Sequence, residues 1–190
     1  GGHWYNAAVR NERTVVLEVS LYHRPPRTAY LFAGQGTQFQ GMGMALYDRS
    51  AAARSVWDAA DEHLKLRFGF SILDVVRNNP TSLKFRSNQV THPEGVLHLT
   101  QFTQVALTLV EVAQIASLKE KGRFVERAMF AGHSLGEYAA LGTLGILTLE
   151  RMVEIVYRRG LTMQHFVQRD EKGRSQYGMT VVRPNLAGMD

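Results

Sequence analysis

The stretch Ala128-Met129-Phe130-Ala131-Gly132-His133-Ser134-Leu135-Gly136-Glu137-Tyr138-Ala139-Ala140-Leu141 predicts a buried strand, a sharp turn and a helix. Glycines two residues before and after Ser134 let the backbone pass close by, which holds the serine hydroxyl clear of the sheet. The Leu135 N–H then faces an oxyanion that develops beside Ser134, and the helix adds its positive end. The alternative is a serine that only caps the helix, because chance matches to G-x-S-x-G are common.

Strands and helices alternate on both sides of this turn. Residues 28–32 and 128–131 form short apolar strands, and residues 177–182 form another. Strands connected by helices form mainly parallel sheets, so the predicted fold class is α/β with a mainly parallel sheet. Residues 14–22 alternate as a further strand, and the prolines within residues 23–27 indicate a boundary in front of the core.

Four helices are predicted, three of them from their first residues. Ser50, Ser71 and Thr148 each precede an apolar pattern at helical spacing and can cap its first turn. The remaining helix, the longest, carries an apolar stripe that ends at Gly122. Residues 81–95 are polar, and we expect a loop there.

A glycine-rich segment, residues 34–43, follows the strand at 28–32. It is not a dinucleotide-binding fingerprint, because Phe39 stands where the third glycine belongs. It is not a phosphate loop either, because Met42 rather than lysine follows Gly41. Sites of open α/β sheets lie at the carboxyl ends of strands, so these backbone N–H groups are candidates to complete an oxyanion hole. A plain strand-to-helix turn is the alternative.

Arg159 is the candidate anion-binding residue. At 100° per residue it lies beside Met152, at the edge of the stripe that the last helix turns to the core. A partly buried guanidinium needs an anionic partner. A structural carboxylate can supply it, or a substrate carboxylate can do so through a bidentate pair of roughly 1.5–3 kcal/mol.

Composition excludes several function classes. The chain has 190 residues, 45% of them hydrophobic, with a formal net charge of +5, as in an ordinary globular protein. The basic residues are scattered, so we expect no nucleic-acid binding, and no apolar stretch is long enough to predict a membrane span. The lack of cysteine fits a cytoplasmic protein.

Two further expectations concern metals and the chain start. His92 and His98 have no recognised ligand spacing and H-E-x-x-H does not occur, so no metal site is expected. The first residues carry neither an initiator methionine nor a signal-peptide pattern, and we expect a piece of a longer protein.

Several ordered motifs together resemble the malonyl-CoA:acyl carrier protein transacylase family. They are Phe32-Ala33-Gly34-Gln35-Gly36-Thr37-Gln38, Thr103-Gln104-Val105-Ala106-Leu107, the stretch from Gly132 to Leu141, and Arg159-Gly160. Residues 169–179 are similar to the malonyl/palmitoyl transferase domain of type I fatty acid synthases of the fungal and mycobacterial kind. Ala33 departs from the family, which usually has proline there.

The resemblance covers residues 28–182 and implies three units. Residues 28–176 would be an acyltransferase core of α/β-hydrolase-like architecture. Residues 1–27 would be a strand and linker from a preceding module. Residues 177–190 would start a small ferredoxin-like subdomain that is truncated here.

The resemblance also implies roles for named residues. Ser134 would take the acyl group from coenzyme A as an ester and pass it to the phosphopantetheine thiol of an acyl carrier protein domain. Backbone N–H groups of Gln35 and Leu135 would hold the oxyanion, Arg159 would bind the malonyl carboxylate, and Gln104 would line the pocket. The resemblance implies no bound cofactor, because malonyl-CoA and acyl-CoA are substrates. It implies the other synthase domains as partners.

In this family the base that activates the serine is a histidine much later in the chain. None of the other histidines here matches that position, and His133 points the wrong way. We therefore expect half an active site, and a piece that turns over poorly or not at all alone. A structural or interaction segment without activity is one alternative. A serine hydrolase or thioesterase is another, which Arg159 disfavours because a plain esterase has no need of a buried cation.

Overall fold

The computed structural model describes residues 27–167 and the backbone of two short strands before them. The strands are Tyr5–Asn6 (β1), Glu18–Val19 (β2), Ala29–Phe32 (β3), Ser82–Phe85 (β4), Asn88–Thr91 (β5) and Met129–Gly132 (β6). The helices are Met44–Arg49 (α1), Ala51–Phe68 (α2), Ile72–Asn78 (α3), Thr100–Glu120 (α4), Gly136–Thr143 (α5) and Leu149–Phe166 (α6), with a 3-10 turn at Val96–His98.

The two strands that precede the glycine-rich turns lie side by side. β3 and β6 are parallel, in a register that runs from Ala29↔Met129 to Phe32↔Gly132. This pairing confirms the α/β class and brings the two carboxyl ends together. The strand before the serine is less buried than its apolar sequence predicts, since the Met129 side chain is 56% exposed.

The main core lies between helices. α4 packs against both α2 and α6, which also contact each other. The largest fully buried side chains of this core include Trp57, Leu64, Phe102, Leu109 and Met152. Gly160 lets α6 approach α4 closely, because a methyl group there would lie 2.4 Å from Gln101 Cα. α4 and α6, which bring polar side chains to the strand ends, are therefore held firmly in place.

The predicted helix starts are confirmed. The side chains of Ser50, Ser71 and Thr148 each accept a hydrogen bond from the backbone N–H three residues on, at 3.0–3.3 Å. Such a bond satisfies one of the amides that a helix start leaves unpaired. The long helix is confirmed as α4, which ends shortly before Gly122.

The loop predicted at residues 81–95 is wrong in part, because β4 and β5 form an antiparallel hairpin there. Its two-residue turn is Arg86-Ser87, and Arg86 adopts a φ of 50°. Tight hairpin turns need positive φ, which Asn-Gly or Asp-Gly normally signals. This turn carries neither pair, so the hairpin could not be predicted from its turn residues. Phe85, which is 6% exposed, holds the hairpin to the core.

Several predictions fall mostly outside the described residues. Of the strand at 14–22, only β2 is described, and it pairs antiparallel with β1. The strand at 177–182 lies outside the described residues, as does almost all of the boundary at 23–27. The limits of the three units, 1–27, 28–176 and 177–190, stay predictions. Within the described ranges, no helix is long and apolar enough to cross a membrane.

Candidate active site

Ser134 sits on a sharp turn between β6 and α5. Its backbone has a φ of 53°, in the left-handed region that residues other than glycine rarely adopt. Its side chain is exposed at the carboxyl end of the parallel strand pair. This geometry is that of the predicted turn, in which a strained backbone holds the serine hydroxyl clear of the sheet.

The two glycines of the motif are required by close backbone contacts. A methyl group at Gly132 would lie 2.2 Å from the Glu137 backbone nitrogen. A methyl group at Gly136 would lie 2.2 Å from the Phe32 carbonyl oxygen, at the end of the neighbouring strand. Neither contact leaves room for a side chain, so the glycines let α5 start directly against the end of β3.

Arg159 brings a positive charge to the serine. Its Nη2 donates a hydrogen bond to Ser134 Oγ at 2.8 Å, and its guanidinium carbon lies 5.6 Å from the centre of the Tyr138 ring. The side chain is half-buried, as predicted for the edge of the apolar stripe. Within residues 27–167, no carboxylate lies within ion-pairing distance of Arg159. The structural carboxylate considered from sequence is therefore not found there.

Gln104 and Gln35 meet where the loop after β3 crosses the strand ends. Gln104 on α4 is fully buried, and its Nε2 donates to the exposed Gln35 side chain, with 3.1 Å to Oε1. The same nitrogen lies 3.2 Å from Met163 Sδ. Gln104 Oε1 is buried without a hydrogen-bond partner in the described part of the chain. The structure thus brings two predicted site residues together, while the roles of Gln35 and Leu135 as oxyanion donors remain predictions.

His133, the residue before Ser134, packs against this loop. A methyl group at Gly34 would lie 2.8 Å from His133 Nδ1, so the ring is directly against the loop backbone. The described hydrogen bond of the Ser134 hydroxyl comes from Arg159 and not from a histidine. Among residues 27–167, no group of three or more histidine, aspartate and glutamate side chains is placed to hold a metal ion.

Glu111 is a residue of this region that the sequence reasoning missed. It lies on α4, and its Oε1 accepts a hydrogen bond from the Ala33 N–H at 2.5 Å. Burial raises the pKa of the Glu111 carboxyl to about 7, although the bond from Ala33 opposes the rise. The available signal was an acid one helical turn away from each of the apolar residues Leu107 and Ile115.

The chain is similar to known proteins over most of its length. The family model described as an acyl transferase domain matches residues 29–190. The fatty acid synthase subunit beta of Schizosaccharomyces pombe is 42% identical over an alignment of 202 positions that covers 84% of this chain and 10% of that protein. The subunit beta of Saccharomyces cerevisiae is 42% identical over an alignment of 217 positions that covers 92% of this chain and 11% of that protein. The chain thus spans about a tenth of these relatives' length.

Solved structures give the same result. The malonyl CoA-acyl carrier protein transacylase from Clostridium perfringens is 32% identical, with a TM-score of 0.62 over 76% of this chain and 40% of that chain. The corresponding enzyme from Coxiella burnetii is 32% identical, with a TM-score of 0.62 over 78% and 42%. The resemblances to transacylases and to fungal fatty acid synthases are confirmed. Because the family model covers most of its residues, this chain belongs to the acyl transferase domain family.

Proposed function

We propose that this chain transfers malonyl groups, and also long-chain acyl groups, between coenzyme A and an acyl carrier protein in cytoplasmic fatty acid synthesis. The observation that carries the proposal is the Arg159 guanidinium at 2.8 Å from Ser134 Oγ, without a carboxylate partner in residues 27–167. A cation beside a nucleophile suits an acyl group that ends in a carboxylate. The similarity to malonyl CoA-acyl carrier protein transacylases supports the same substrate class.

The reaction proceeds in two steps. Ser134 Oγ attacks the thioester carbonyl, so that a C–O bond forms, the C–S bond breaks, and the serine proton ends on the departing coenzyme A sulfur. The phosphopantetheine thiol then attacks the ester, so that a C–S bond forms, the C–O bond to Ser134 breaks, and the thiol proton ends on Ser134 Oγ. The backbone N–H groups of Gln35 and Leu135 hold the oxyanion of both steps, each contributing about 2.7–4 kcal/mol.

The proton of Ser134 needs a base. A guanidinium stays protonated and has no acceptor, so Arg159 cannot take the proton. We place this base in a histidine that comes later in a longer chain. The same longer chain would carry the other domains of a synthase. By itself the chain then acylates slowly, because a serine hydroxyl without its base is a weak nucleophile.

Intact mass after incubation with malonyl-CoA tests the proposal, with Ser134→Ala as the control. We expect one malonyl adduct, absent from the control, that forms faster in a longer chain that includes the later histidine. Transfer to a carrier protein separates a transferase from a hydrolase, which would release free malonate instead. If neither chain were labelled, the acyl transfer proposal would be wrong.

Arg159→Ala tests the substrate class. Loss of a bond to a charged group is worth roughly 1.5–3 kcal/mol, so we expect malonyl labelling to fall about tenfold to a hundredfold and palmitoyl labelling to change little. Arg158→Ala is the matched control, because Arg158 is exposed and its guanidinium lies over the Phe68 ring at 5.6 Å. Equal losses of malonyl and palmitoyl labelling would contradict the role of Arg159.

A further inference from the structure

Two side chains of α4 make hydrogen bonds to the loop after β3. Gln104 bonds the Gln35 side chain, and Glu111 accepts from the Ala33 N–H. The two α4 residues are seven positions apart, so they lie on the same helix face, offset by about 20° and separated by about 10.5 Å along the axis. Between the two contacts, Gly34 packs against the His133 ring. The start of the loop is thus held by two side chains of α4 and by the His133 ring of the serine turn.

The Ala33 N–H has no place in the described parallel pair. In a parallel ladder, alternate residues of one strand direct their N–H and C=O groups to the neighbour. The Phe32 carbonyl accepts from the His133 N–H at 3.1 Å, so Phe32 faces β6. Ala33, the next residue, directs its N–H away from β6. The Glu111 carboxylate is the group that receives it, at 2.5 Å.

The surroundings of Glu111 are mostly apolar. It lines a groove of about 560 Å³ together with Phe39, Met42 and Val110, while Arg49 of α1 is the other charged residue of that lining. Glu111 Oε2 is buried and has no hydrogen-bond partner within the described part of the chain. The carboxyl therefore has one strong interaction, which is the bond to the loop.

We propose that Glu111 is a positioning residue, whose carboxylate holds the Ala33 N–H and thereby sets where the Gln35 N–H points. The inference rests on the proposed function, because it gives the Gln35 N–H its use as an oxyanion donor. Ala33 and Gln35 are only two residues apart, so release of the first moves the second. Displacement of a catalytic donor by about 1 Å can cost roughly a hundredfold in rate.

The first test needs no acyl transfer. In ¹⁵N NMR spectra of the chain, we expect the Ala33 amide signal to titrate with a midpoint near pH 7, following the pKa of Glu111. In Glu111→Gln, the amide should keep a hydrogen-bonded shift and lose the titration. In Glu111→Ala, the Gly34 and Gln35 amide signals should move as well. An Ala33 amide that does not titrate, or loop signals unchanged in Glu111→Ala, would overturn the inference even if the chain is never acylated.

The second test measures the rate of Ser134 acylation by malonyl-CoA, per folded molecule. We expect Glu111→Ala to slow it about tenfold to a hundredfold, with Glu111→Gln within a few-fold of the wild type at neutral pH. Below pH 7 the wild type should lose rate relative to Glu111→Gln, because protonation weakens the acceptor of Ala33. Gln114→Ala is the control, since this exposed residue lines the same groove one turn along α4.

Two results of this second test decide against the proposal. Acylation by Glu111→Ala at the wild-type rate would overturn it. An acylation rate with the same pH profile in the wild type and in Glu111→Gln would overturn it as well. The Glu111→Gln variant keeps an acceptor for the Ala33 N–H, so this comparison can be made even if Glu111→Ala does not fold.

Discussion

The two turns that follow the paired strands reach the same site by different means. The turn after β6 has three residues, and its shape is set by contacts among Gly132, Ser134 and Gly136 and the adjoining strand end. The loop after β3 has eleven residues before α1 begins. Its first residues are held by side chains of Gln104 and Glu111, 69 and 78 positions further along the chain, and its later part is bonded to α3 through the Gly41 N–H and the Val76 carbonyl oxygen.

This difference separates Ser134 and Leu135, which lie in the serine turn, from Gln35, the proposed second oxyanion donor, which lies in the loop. The serine turn depends on five neighbouring residues and the strand pair. The first residues of the loop depend on the placement of α4, which packs against α2 and α6. Changes on α4 should therefore impair the loop and leave the serine turn intact, whereas changes within the turn should abolish the site directly.

The largest effect is expected from Gly136→Ala. Its new methyl group would lie 2.2 Å from the Phe32 carbonyl oxygen, so α5 must move away from β3 and carry Ser134 with it. We expect malonyl labelling of Ser134 to fall at least about a hundredfold, since a shift of about 1 Å is sufficient for such a loss. Intact mass at fixed times measures the rate.

Gly145→Ala is the control for this experiment. Gly145 has a φ of 72° and no atom within 4 Å of an added methyl group, so the substitution adds backbone strain without a clash. We expect a loss of stability of about 1–2 kcal/mol and normal labelling of the folded fraction. Labelling of Gly136→Ala at the Gly145→Ala rate would mean that the serine turn is not set by this contact.

A smaller effect is expected from Gln104→Leu, which removes the contact to Gln35 and keeps the side-chain volume. We expect labelling to slow about tenfold, the value of one hydrogen bond, with stability little changed because the unpaired Gln104 Oε1 is also removed. Thr108→Val is the matched control, as Thr108 is fully buried on α4 and its Oγ1 likewise has no partner among residues 27–167. Equal rates in the two variants would show that the loop does not need Gln104.

The same difference explains how much could be predicted from the sequence. The position of Ser134 and the helix caps were predicted because each is signalled by residues within a few positions, and the spacing of the two glycines signalled the turn although Gly136 packs against the remote Phe32. The partner of the Ala33 N–H was missed, because Glu111 is remote in sequence and reads as one acid in an apolar helix. The β4–β5 hairpin was missed because Arg86 takes a positive φ without the usual turn residues, supported by a bond from Arg86 Nη2 to the Leu66 carbonyl oxygen at 2.9 Å.

The smallest effect on labelling is expected from Ser50→Ala, at the start of α2. Ser50 is buried, and its Oγ caps α2 by accepting from the Ala53 N–H while donating to Glu120 Oε2 at 2.6 Å, which joins the start of α2 to the end of α4. Loss of both bonds should cost about 1–2 kcal/mol in the free energy of unfolding, measured by urea denaturation.

The exposed cap Thr148→Ala provides the comparison for Ser50→Ala, with an expected loss of about 0.5–1 kcal/mol. Labelling per folded molecule should be unchanged in both variants, because neither touches the contacts of Gln104 or Glu111 to the loop. A slower rate in folded Ser50→Ala would mean that the end of α4 transmits its position to the strand ends. In that case α2, α4 and α6 would act on the site as one rigid unit, and not only through the two side chains that make hydrogen bonds to the loop.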